Sequence, residues 1–354
     1  MFTTKSFSYQ LPPNLIAQSP VSPRDSSRLM VINRKTNSIS HHLFSNLPSL
    51  LPPRSVLVFN QTKVFPARLF ARKSTGGKTE VLFIHPVSPD SWLCLASPRP
   101  QEGSFLYLNN KPILETIKST PASSEVVLKF LPLTSLYDFL ARHGHTPLPP
   151  YIKSTTPESI LRRQYQPIFA KTTGSAAAPT ASLHFTKRLL TKLSSQSIPS
   201  EFLTLHVGLG TFAPLTQSNL NSGTLHTEPY SINPAVISRL NDFKSQGNKI
   251  IAVGTTTARC LESSSSLDGV LTESQGATDL FIRPGYKFKF VDGLITNFHL
   301  PESSLLMFVS AFVSAPNTTS EFSDFAHSLI GRAYLEAVSQ RYRFFSFGDA
   351  SLIL

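Results

Sequence analysis

Four histidines in the second half of the chain lie in short segments rich in proline, glycine and threonine. The segments are AAAPTASLHF (176–185), LHVGLGTFAPL (205–215), TLHTEPY (224–230) and TNFHLPESSLL (296–306). The unperturbed pKa of histidine is close to neutral pH, so this side chain can transfer protons without a large shift of its pKa. Glycine, proline and threonine are typical of turns after strands, where the reactive groups of α/β folds lie. The pattern predicts an active site assembled from several loops.

Each histidine also has a simpler interpretation, because an isolated histidine is more often structural than catalytic. His184 stands between two large apolar residues, as a histidine of the core would. His206 has the same alternative, but it precedes Gly208 and Gly210, which would allow the backbone to approach a ligand closely. His299 follows the end of a predicted strand, where sites of α/β folds form.

Charged side chains stand in similarly rigid segments. Glu228 and Asp349 lie in stretches bounded by proline or aromatic residues, and solvated caps are their alternative. The segment GTTTARCLES (254–263) carries Arg259 and Glu262, which could instead pair with each other along one turn of a helix. The two cysteines are far apart, and His41-His42 and His143-Gly144-His145 have no acidic or cysteine partner at metal-ligand spacing, so we expect no metal site.

The composition favours a two-domain globular protein with a polyanionic partner. The 354 residues exceed the length of one ordinary core, and the formal net charge is +12. Basic residues cluster between Arg54 and Lys78 and between Lys153 and Lys171, as in proteins that bind nucleic acid, although a merely solvated basic surface is the alternative. No segment is apolar enough to span a bilayer and no export signal is evident, so we expect a cytoplasmic protein.

Two patterns of predicted secondary structure divide the chain. Short alternating segments between Gly, Pro and Ser turns predict a small β-barrel or sandwich over residues 67–150, with a helix over 133–143 that ends at Gly144. Strands alternate with helices over 151–354, a pattern typical of α/β folds, and residues 1–66 are assigned to the same unit. We therefore predict a larger α/β domain with a mixed sheet and an inserted β-barrel domain. The predicted strands of the larger domain include 201–207, 249–254, 281–285 and 293–298, and its predicted helices start at Thr186, Pro234 and Ser303.

Further motifs are FSYQLPPNLIAQSP (7–20), VFNQTKVFPARLFARKSTGGKTEVL (58–82), GHTPLPPYI (144–152), TDLFIRPGY (278–286) and RFFSFGDASL (343–352). Together with the segments above, they make the chain similar, nearly from end to end, to one family. This family is the S-adenosylmethionine:tRNA ribosyltransferase-isomerases of queuosine biosynthesis. The sequence departs from it at Ser182, where the family usually has glycine, and at Phe347, where tyrosine is common.

The resemblance implies an unusual use of S-adenosylmethionine as a co-substrate. Its ribosyl part is transferred and isomerised onto the 7-aminomethyl group of the 7-deazaguanine base preQ1 at the wobble position of tRNA. Epoxyqueuosine-tRNA, adenine and methionine result. The expected partners are tRNA and S-adenosylmethionine, with no metal or redox cofactor and no membrane, and we expect a monomer.

The implied reaction requires several proton transfers, because a proton beside the sulfonium must leave, adenine must be expelled and the attacking amine must be neutral. We expect His184, His206 and His299 to carry these transfers, with Asp349 as an orienting group or base. The expected substrate contacts are Asn60, Arg68, Thr180, Gly208, Gly210, Thr211, His226, Glu228, Thr256, Arg259, Glu262 and Asn297.

Two other classes of protein are alternatives. A non-catalytic tRNA-binding protein that kept the scaffold would explain the positive charge. A methyltransferase would also use S-adenosylmethionine, but Gly208-Leu209-Gly210 lacks the third glycine and the following helix of a dinucleotide-binding loop. Reaction products separate these classes.

Overall fold

The structure is a computed structural model that describes residues 3–120, 124–208 and 215–354. Its strands are β1 Arg28–Asn33, β2 Ser38–Leu43, β3 Ser55–Asn60, β4 Thr62–Val64, β5 Arg68–Lys73, β6 Lys78–Pro86, β7 Ser91–Ser97, β8 Phe105–Leu108, β9 Lys111–Ser119, β10 Glu125–Phe130, β11 Thr172–Ser175, β12 Ser200–Leu205, β13 Thr224–Ser231, β14 Lys249–Val253, β15 Gln275–Leu280, β16 Gly293–Asn297 and β17 Ala350–Ile353. Its α-helices are α1 Leu47–Leu50, α2 Leu136–His143, α3 Glu158–Gln164, α4 Lys187–Ser195, α5 Gln217–Ser222, α6 Pro234–Ser245, α7 Thr255–Ser264, α8 Ser304–Phe312 and α9 Leu329–Ser339. Short 3₁₀ helices lie at Thr4–Phe7, Pro13–Leu15, Arg24–Ser26, Phe44–Asn46 and Thr180–His184.

A mixed sheet forms the larger part of the fold. In the described part of the chain its nine strands follow the order β15-β13-β12-β3-β14-β16-β17-β1-β2. The four central strands β12, β3, β14 and β16 are parallel to one another, whereas β13 and β17 run antiparallel to β12 and β16. Strands β3 and β16 are buried over their whole length, as strands covered on both faces are. The carboxyl ends of the four central strands therefore meet at one edge of the sheet.

Three helices of this part begin where the sequence predicts them. The Thr186 side chain accepts a hydrogen bond from the backbone N–H of Leu189 at the start of α4. Ser303 caps α8 in the same way, and Pro234 is the first residue of α6 behind the capping Asn233. A cap satisfies an N–H group that has no partner inside the helix, so these boundaries depend on a few consecutive residues.

The predicted strand over residues 281–285 is wrong. The strand in this region is β15, which ends at Leu280. Phe281 and Ile282 are buried in the main hydrophobic core after the strand has ended. Pro284 has no backbone N–H for a sheet, and Gly285 adopts a left-handed conformation with φ 98°. The apolar pair therefore marks a contact with the core.

The second part of the fold is a closed six-stranded antiparallel barrel in the order β10-β7-β6-β5-β8-β9. Side chains alternate inward and outward along β7, with Trp92, Cys94 and Ala96 buried, as a small barrel requires. The fold class predicted from the sequence is confirmed. The sequence did not indicate β9, which begins with exposed Lys111 and Pro112 and lacks a regular apolar alternation.

All barrel strands lie between residues 68 and 130. The domain limits 1–66, 67–150 and 151–354 stay a prediction. Strand β4 precedes the barrel in the chain, and β11 follows it. The two strands pair in parallel and form a small separate sheet. No helix among the described residues is long and apolar enough to cross a bilayer. The apolar helix α8 is buried over most of its length.

Gly144 follows α2 and packs against Pro66, in the segment that leads into the barrel. Its N–H donates to the carbonyl of Leu140 at 2.8 Å, which ends the helix as predicted. Its φ is −83°, however, so the left-handed conformation typical of a helix-ending glycine is not used. A Cβ at this position would lie 2.1 Å from the carbonyl oxygen of Pro66. Glycine is required here by close backbone packing.

We predict that Gly144→Ala lowers the free energy of unfolding by about 1–3 kcal/mol, because the backbone must move to accept the methyl group. Gly77→Ala is the matched control, since the nearest atom to its Cβ would be the Thr75 hydroxyl oxygen at 3.7 Å. Urea unfolding of both variants measures the difference. Equal stability of the two variants would contradict the packing role of Gly144.

Candidate active site

A cavity of about 390 Å³ lies at the carboxyl ends of β14 and β16. Its described walls include residues 178–181, 254–256, 296–305 and 345–346, with Tyr151, Val207 and Leu215. Ligands of open α/β sheets bind outside the carboxyl ends of the strands. The position and size of the cavity suit a small-molecule ligand.

Two helices start at the wall of this cavity. Helix α7 follows β14 through Gly254, whose φ of 93° makes the tight turn possible, and Thr255 and Thr256 line the cavity. Helix α8 starts with Ser304, which also lines it. The first N–H groups of a helix lack intrahelical partners and lie at the positive end of the helix dipole. This wall can therefore bind an anionic group such as a carboxylate.

Asn297 is the last residue of β16 and lines the cavity. Its side chain is buried, with 3% of its surface exposed. The Nδ2 group donates to the carbonyl oxygen of Phe345 at 3.1 Å and lies 3.5 Å from that of Asp349. The Oδ1 atom has no hydrogen-bond partner among the described residues. The amide is thus held through its NH₂ group, and its oxygen is buried without a partner among the described residues.

His184 lies behind Asn297. Its Nε2 is 3.2 Å from Asn297 Nδ2, and its Nδ1 is 2.7 Å from the hydroxyl of Ser27. The imidazole stacks on the ring of Phe44 with centroids 4.8 Å apart. Burial lowers the pKa of His184 to about 3, and nearby arginine charges act in the same direction. The imidazole is therefore neutral at physiological pH.

His299 lines the cavity directly. Its Nε2 is 3.0 Å from the Thr296 hydroxyl, and its backbone N–H donates to the phenol oxygen of Tyr334. The Tyr9 hydroxyl donates to its carbonyl oxygen at 2.5 Å. Burial lowers the pKa of His299 to about 3, so this imidazole is also neutral. The two tyrosines thus fix its backbone at the wall, and its ring contacts Thr296.

His206 follows the end of β12 and contacts the small sheet. Its Nδ1 is 2.8 Å from the Thr62 hydroxyl. The ring lies against Gly174, where a Cβ would be 2.6 Å from Cε1, so a larger residue at 174 would displace the imidazole. Burial lowers the pKa of His206. The next residue, Val207, lines the cavity, and successive side chains of an extended segment point to opposite sides.

The three histidines expected to transfer protons therefore occupy three different settings. His299 lines the cavity, His184 reaches it through Asn297, and His206 contacts the small sheet beside it. Their proton-transfer roles stay a prediction. Among the expected substrate contacts, Thr180, Thr256 and Asn297 line the cavity.

Asp349 is buried, and both oxygens of its carboxylate accept backbone hydrogen bonds. Oδ1 accepts from the N–H of Arg28 at 2.9 Å, and Oδ2 accepts from that of Arg343 at 2.8 Å. Burial raises the pKa of this carboxyl group, while these hydrogen bonds act in the opposite direction. The side chain thus fixes the start of β1 against the loop before β17. The groups that it orients in this structure are backbone amides.

Glu228 and Arg259 form a buried ion pair. The Arg259 Nη1 lies 2.6 Å from Glu228 Oε2, and the arginine Nε donates to the carbonyl of Leu280 at 3.0 Å. Glu228 Oε1 accepts from the backbone N–H of Gly208 at 2.9 Å. The pair therefore holds the start of the glycine-containing segment beside the cavity. The predicted contacts Gly210 and Thr211 lie outside the described residues.

Glu262 has a separate set of partners. Its carboxylate accepts from the backbone N–H groups of residues 289–291 at 2.8 to 3.0 Å and from the hydroxyl of Tyr286 at 3.1 Å. Pairing of Arg259 with Glu262 along the helix, the simpler alternative, is therefore not formed in the described structure. The side chain fixes the loop before β16. Its expected substrate contact stays a prediction.

The remaining expected contacts are distributed over the molecule. Asn60 at the end of β3 donates to the carbonyl of Leu205 and accepts from its N–H. Arg68 lies on the barrel strand β5 and pairs with Glu80 at 2.6 Å. His226 is exposed on β13. Their substrate contacts also stay predictions.

Several residues of the site were not found from the sequence. Ser27 is buried against His184, although no motif marks it. Tyr151 and Ser346 line the cavity, with their hydroxyl oxygens 2.8 Å apart. Both lie in motifs shared with the family, so the resemblance could have indicated them as site residues. At the two departures from the family, Phe347 packs edge to face against Tyr165, and Ser182 is buried with its hydroxyl unpaired among the described residues.

We predict that Arg259→Met lowers the free energy of unfolding by about 3–5 kcal/mol, because it leaves the Glu228 carboxylate buried without its cation. Lys129→Met removes the solvent-exposed partner of Asp90 and is the matched control, with little change expected. Urea unfolding monitored by fluorescence measures both. A loss in Arg259→Met no greater than in the control would contradict the importance of the buried pair.

The cavity at the carboxyl edge of a mixed sheet, together with a separate barrel, defines an α/β protein with a small-ligand site beside a second module. The chain belongs to the family described as queuosine biosynthesis protein, whose model matches residues 4–353. The resemblance inferred from the motifs is thereby confirmed.

Proteins named S-adenosylmethionine:tRNA ribosyltransferase-isomerase are similar over nearly the full length. The one from Thermoanaerobacter sp. (strain X514) is 44% identical over 352 residues, and the one from Thermotoga maritima is 45% identical over 350 residues. Each alignment covers 98% of both chains. The crystal structure of S-adenosylmethionine tRNA ribosyltransferase from Thermotoga maritima matches with 34% identity and a TM-score of 0.53, covering 99% of this chain and 100% of that one.

Proposed function

We propose that this protein is an S-adenosylmethionine:tRNA ribosyltransferase-isomerase. It transfers and isomerises the ribosyl part of S-adenosylmethionine onto the aminomethyl-deazaguanine wobble base of tRNA, and releases adenine and methionine. The observation that carries this proposal is identity of 44–45% over nearly the whole length of relatives with this name. A tRNA substrate also agrees with the net charge of +12 and with the expected cytoplasmic location.

The electrostatics of the cavity support binding of S-adenosylmethionine. The molecule carries a sulfonium cation and a carboxylate at different positions. His184 and His299 are neutral because burial lowers the pKa of each to about 3, so neither repels a sulfonium. The starts of α7 and α8 can bind the carboxylate of the methionine part. The ligand would thus have one orientation in the cavity.

The chemistry assigns different tasks to the residues of the wall. A proton of the ribose 5′ carbon is acidified by the adjacent sulfonium, and a base must remove it. Adenine takes up a proton as it leaves. We propose that His299 contacts the ligand in these steps, because its imidazole lines the cavity and its backbone is fixed by Tyr9 and Tyr334.

A groove on the barrel fits nucleotides next to the reactive base of the tRNA. Phe70 on β5 is 50% exposed. Beside it lie Arg72, Lys73 and Tyr107. Both cations donate to backbone carbonyls and form no ion pair with the part of the chain that the structure describes. Exposed aromatic rings among cations are typical of surfaces that stack unpaired bases and bind phosphates. We call this surface the barrel groove.

The barrel groove lies within reach of the cavity. The ring of His145 packs edge to face against Phe70 with centroids 5.2 Å apart. Six residues further along, Tyr151 lines the cavity. An extended chain spans at most roughly 3.6 Å per residue, so the backbone positions of these two residues are separated by at most about 22 Å. A single RNA strand can therefore contact both places.

We predict that tRNA carrying the aminomethyl-deazaguanine base gains the ribosyl-derived mass when it is incubated with the protein and S-adenosylmethionine. Adenine and methionine should appear in equal amounts, since both are released in one turnover. Mass spectrometry of the tRNA and chromatography of the products measure this. S-adenosylhomocysteine without adenine would indicate a methyltransferase, and the absence of any product would indicate a binding protein.

The same assay tests the expected independence of metal. We predict an unchanged rate in the presence of EDTA, because the described residues contain no group of three or more histidine, cysteine or acidic side chains placed to hold a metal ion. A rate that EDTA abolishes and zinc restores would contradict this prediction.

Size-exclusion chromatography with light scattering tests the expected monomer.

We predict that tRNA affinity falls steeply with salt, by about 10³- to 10⁵-fold between 50 and 200 mM if six to ten phosphates are contacted. Phe70→Ala should weaken tRNA binding about tenfold at fixed salt, because it removes one stacked base. The KM for S-adenosylmethionine should stay unchanged. Filter binding and steady-state kinetics measure these quantities.

Two variants control the test of the barrel groove. Phe70→Trp keeps an aromatic face and should retain affinity. Ile117→Ala removes another exposed apolar side chain, on β9, which does not pair with β5, and should have no effect. Equal losses in Phe70→Ala and Ile117→Ala, or tRNA affinity that does not change with salt, would exclude the groove as the tRNA surface.

A further inference from the structure

The hydrogen-bond partners of Asn297 fix the orientation of its side-chain amide. One terminal atom lies 3.1 Å from the carbonyl oxygen of Phe345 and 3.5 Å from that of Asp349. A carbonyl oxygen accepts and cannot donate, so this atom must be the NH₂ group. The opposite orientation would place two acceptors against Oδ1 and leave the NH₂ group without these partners. The unpaired atom of the amide is therefore its acceptor, Oδ1, within the described structure.

The orientation of the amide in turn fixes the tautomer of His184. The same NH₂ group lies 3.2 Å from His184 Nε2, which must therefore accept with its lone pair. In a neutral imidazole the proton is then on Nδ1, which donates to the Ser27 hydroxyl at 2.7 Å. Phe44 stacks on the ring and prevents it from turning. Three side chains thus hold one another in a single arrangement.

We infer that Ser27 and His184 are positioning residues that hold Asn297 so that its Oδ1 accepts a hydrogen bond from S-adenosylmethionine. The inference deepens the proposed function and rests on it. The ligand group is an N–H or O–H donor, such as a ribose hydroxyl, the adenine amine or the ammonium of the methionine part. Asn297 lines the cavity, and its buried Oδ1, which has no partner among the described residues, is complementary to such a donor.

This arrangement gives His184 a different role from the one that its sequence motif predicts. A proton-transfer residue must reach the reacting atoms directly or through one water. Both ring nitrogens of His184 are occupied, one by Ser27 and the other by Asn297. The imidazole therefore acts on the ligand through the amide. Its function depends on a fixed tautomer and not on titration.

A double-mutant cycle of Asn297 and His184 tests this inference. Calorimetry measures the binding of S-adenosylmethionine without tRNA, and the release of adenine measures turnover. Asn297→Ala should weaken S-adenosylmethionine binding about tenfold, the effect of one lost hydrogen bond. His184→Ala should cause a similar loss. The double variant should bind no more weakly than Asn297→Ala, because the histidine acts through the asparagine. Ser27→Ala should weaken binding in the same direction.

Two outcomes of the cycle would overturn the inference. If His184 transferred protons itself, His184→Ala would lower kcat by a further 10²- to 10⁴-fold in the Asn297→Ala background. Unchanged S-adenosylmethionine affinity in Asn297→Ala would show that Oδ1 does not contact the ligand. His42→Ala on the outer strand β2 is the control and should leave binding and turnover unchanged.

A spectroscopic measurement on the unaltered protein keeps the inference testable if His184→Ala does not fold. Two-bond ¹H–¹⁵N spectra of protein with ¹⁵N-labelled histidine should show His184 as the neutral tautomer protonated at Nδ1 between pH 6 and 8. An imidazolium, or a proton on Nε2, would overturn the inference. Failure of the proposed function is distinguishable, because the wild-type protein would then neither bind S-adenosylmethionine nor release adenine.

Discussion

The side-chain amide of Asn60 holds the point at which the chain leaves the large sheet. Its Nδ2 donates to the carbonyl of Leu205 and its Oδ1 accepts from the N–H of the same residue, so the amide replaces strand pairing at the ends of β3 and β12. The same Oδ1 accepts from the N–H of Thr62 at the start of β4, which leads to the barrel. Because an unpaired buried backbone group is costly, the large sheet, the small sheet and the entry to the barrel all depend on this side chain.

The same physical solution recurs at both ends of the strands of the large sheet. Loops before and after strands have backbone amides that no strand can pair, and buried side chains accept from them. Asp349 accepts from two such amides, Glu262 from three, and Glu228 from that of Gly208. Asn297 differs, because its NH₂ group is fully used while its oxygen remains available. A rigid frame of satisfied polar groups thus presents one acceptor to a ligand.

Charge is distributed between the interior and the surface in a way that suits two different substrates. The imidazoles of His184 and His299 are neutral at physiological pH because burial lowers the pKa of each to about 3. A cationic sulfonium can therefore enter the cavity without repulsion. The positive charge of the protein includes exposed residues such as Arg72 in the barrel groove, where it can attract phosphates over a distance of about a Debye length. In the proposed function, the small and the large substrate are thus recognised by separate surfaces.

The sequence by itself determined the family, the alternation of the barrel strands and the starts of α4 and α8, because capping and alternation act over a few consecutive residues. It indicated that His184, His299 and Asn297 belong to one site. It could not indicate that Ser27, 157 residues before His184, fixes the histidine tautomer. The tertiary structure decided this role, because the direction of a hydrogen bond depends on which atoms folding brings together, and a residue type such as histidine permits either tautomer.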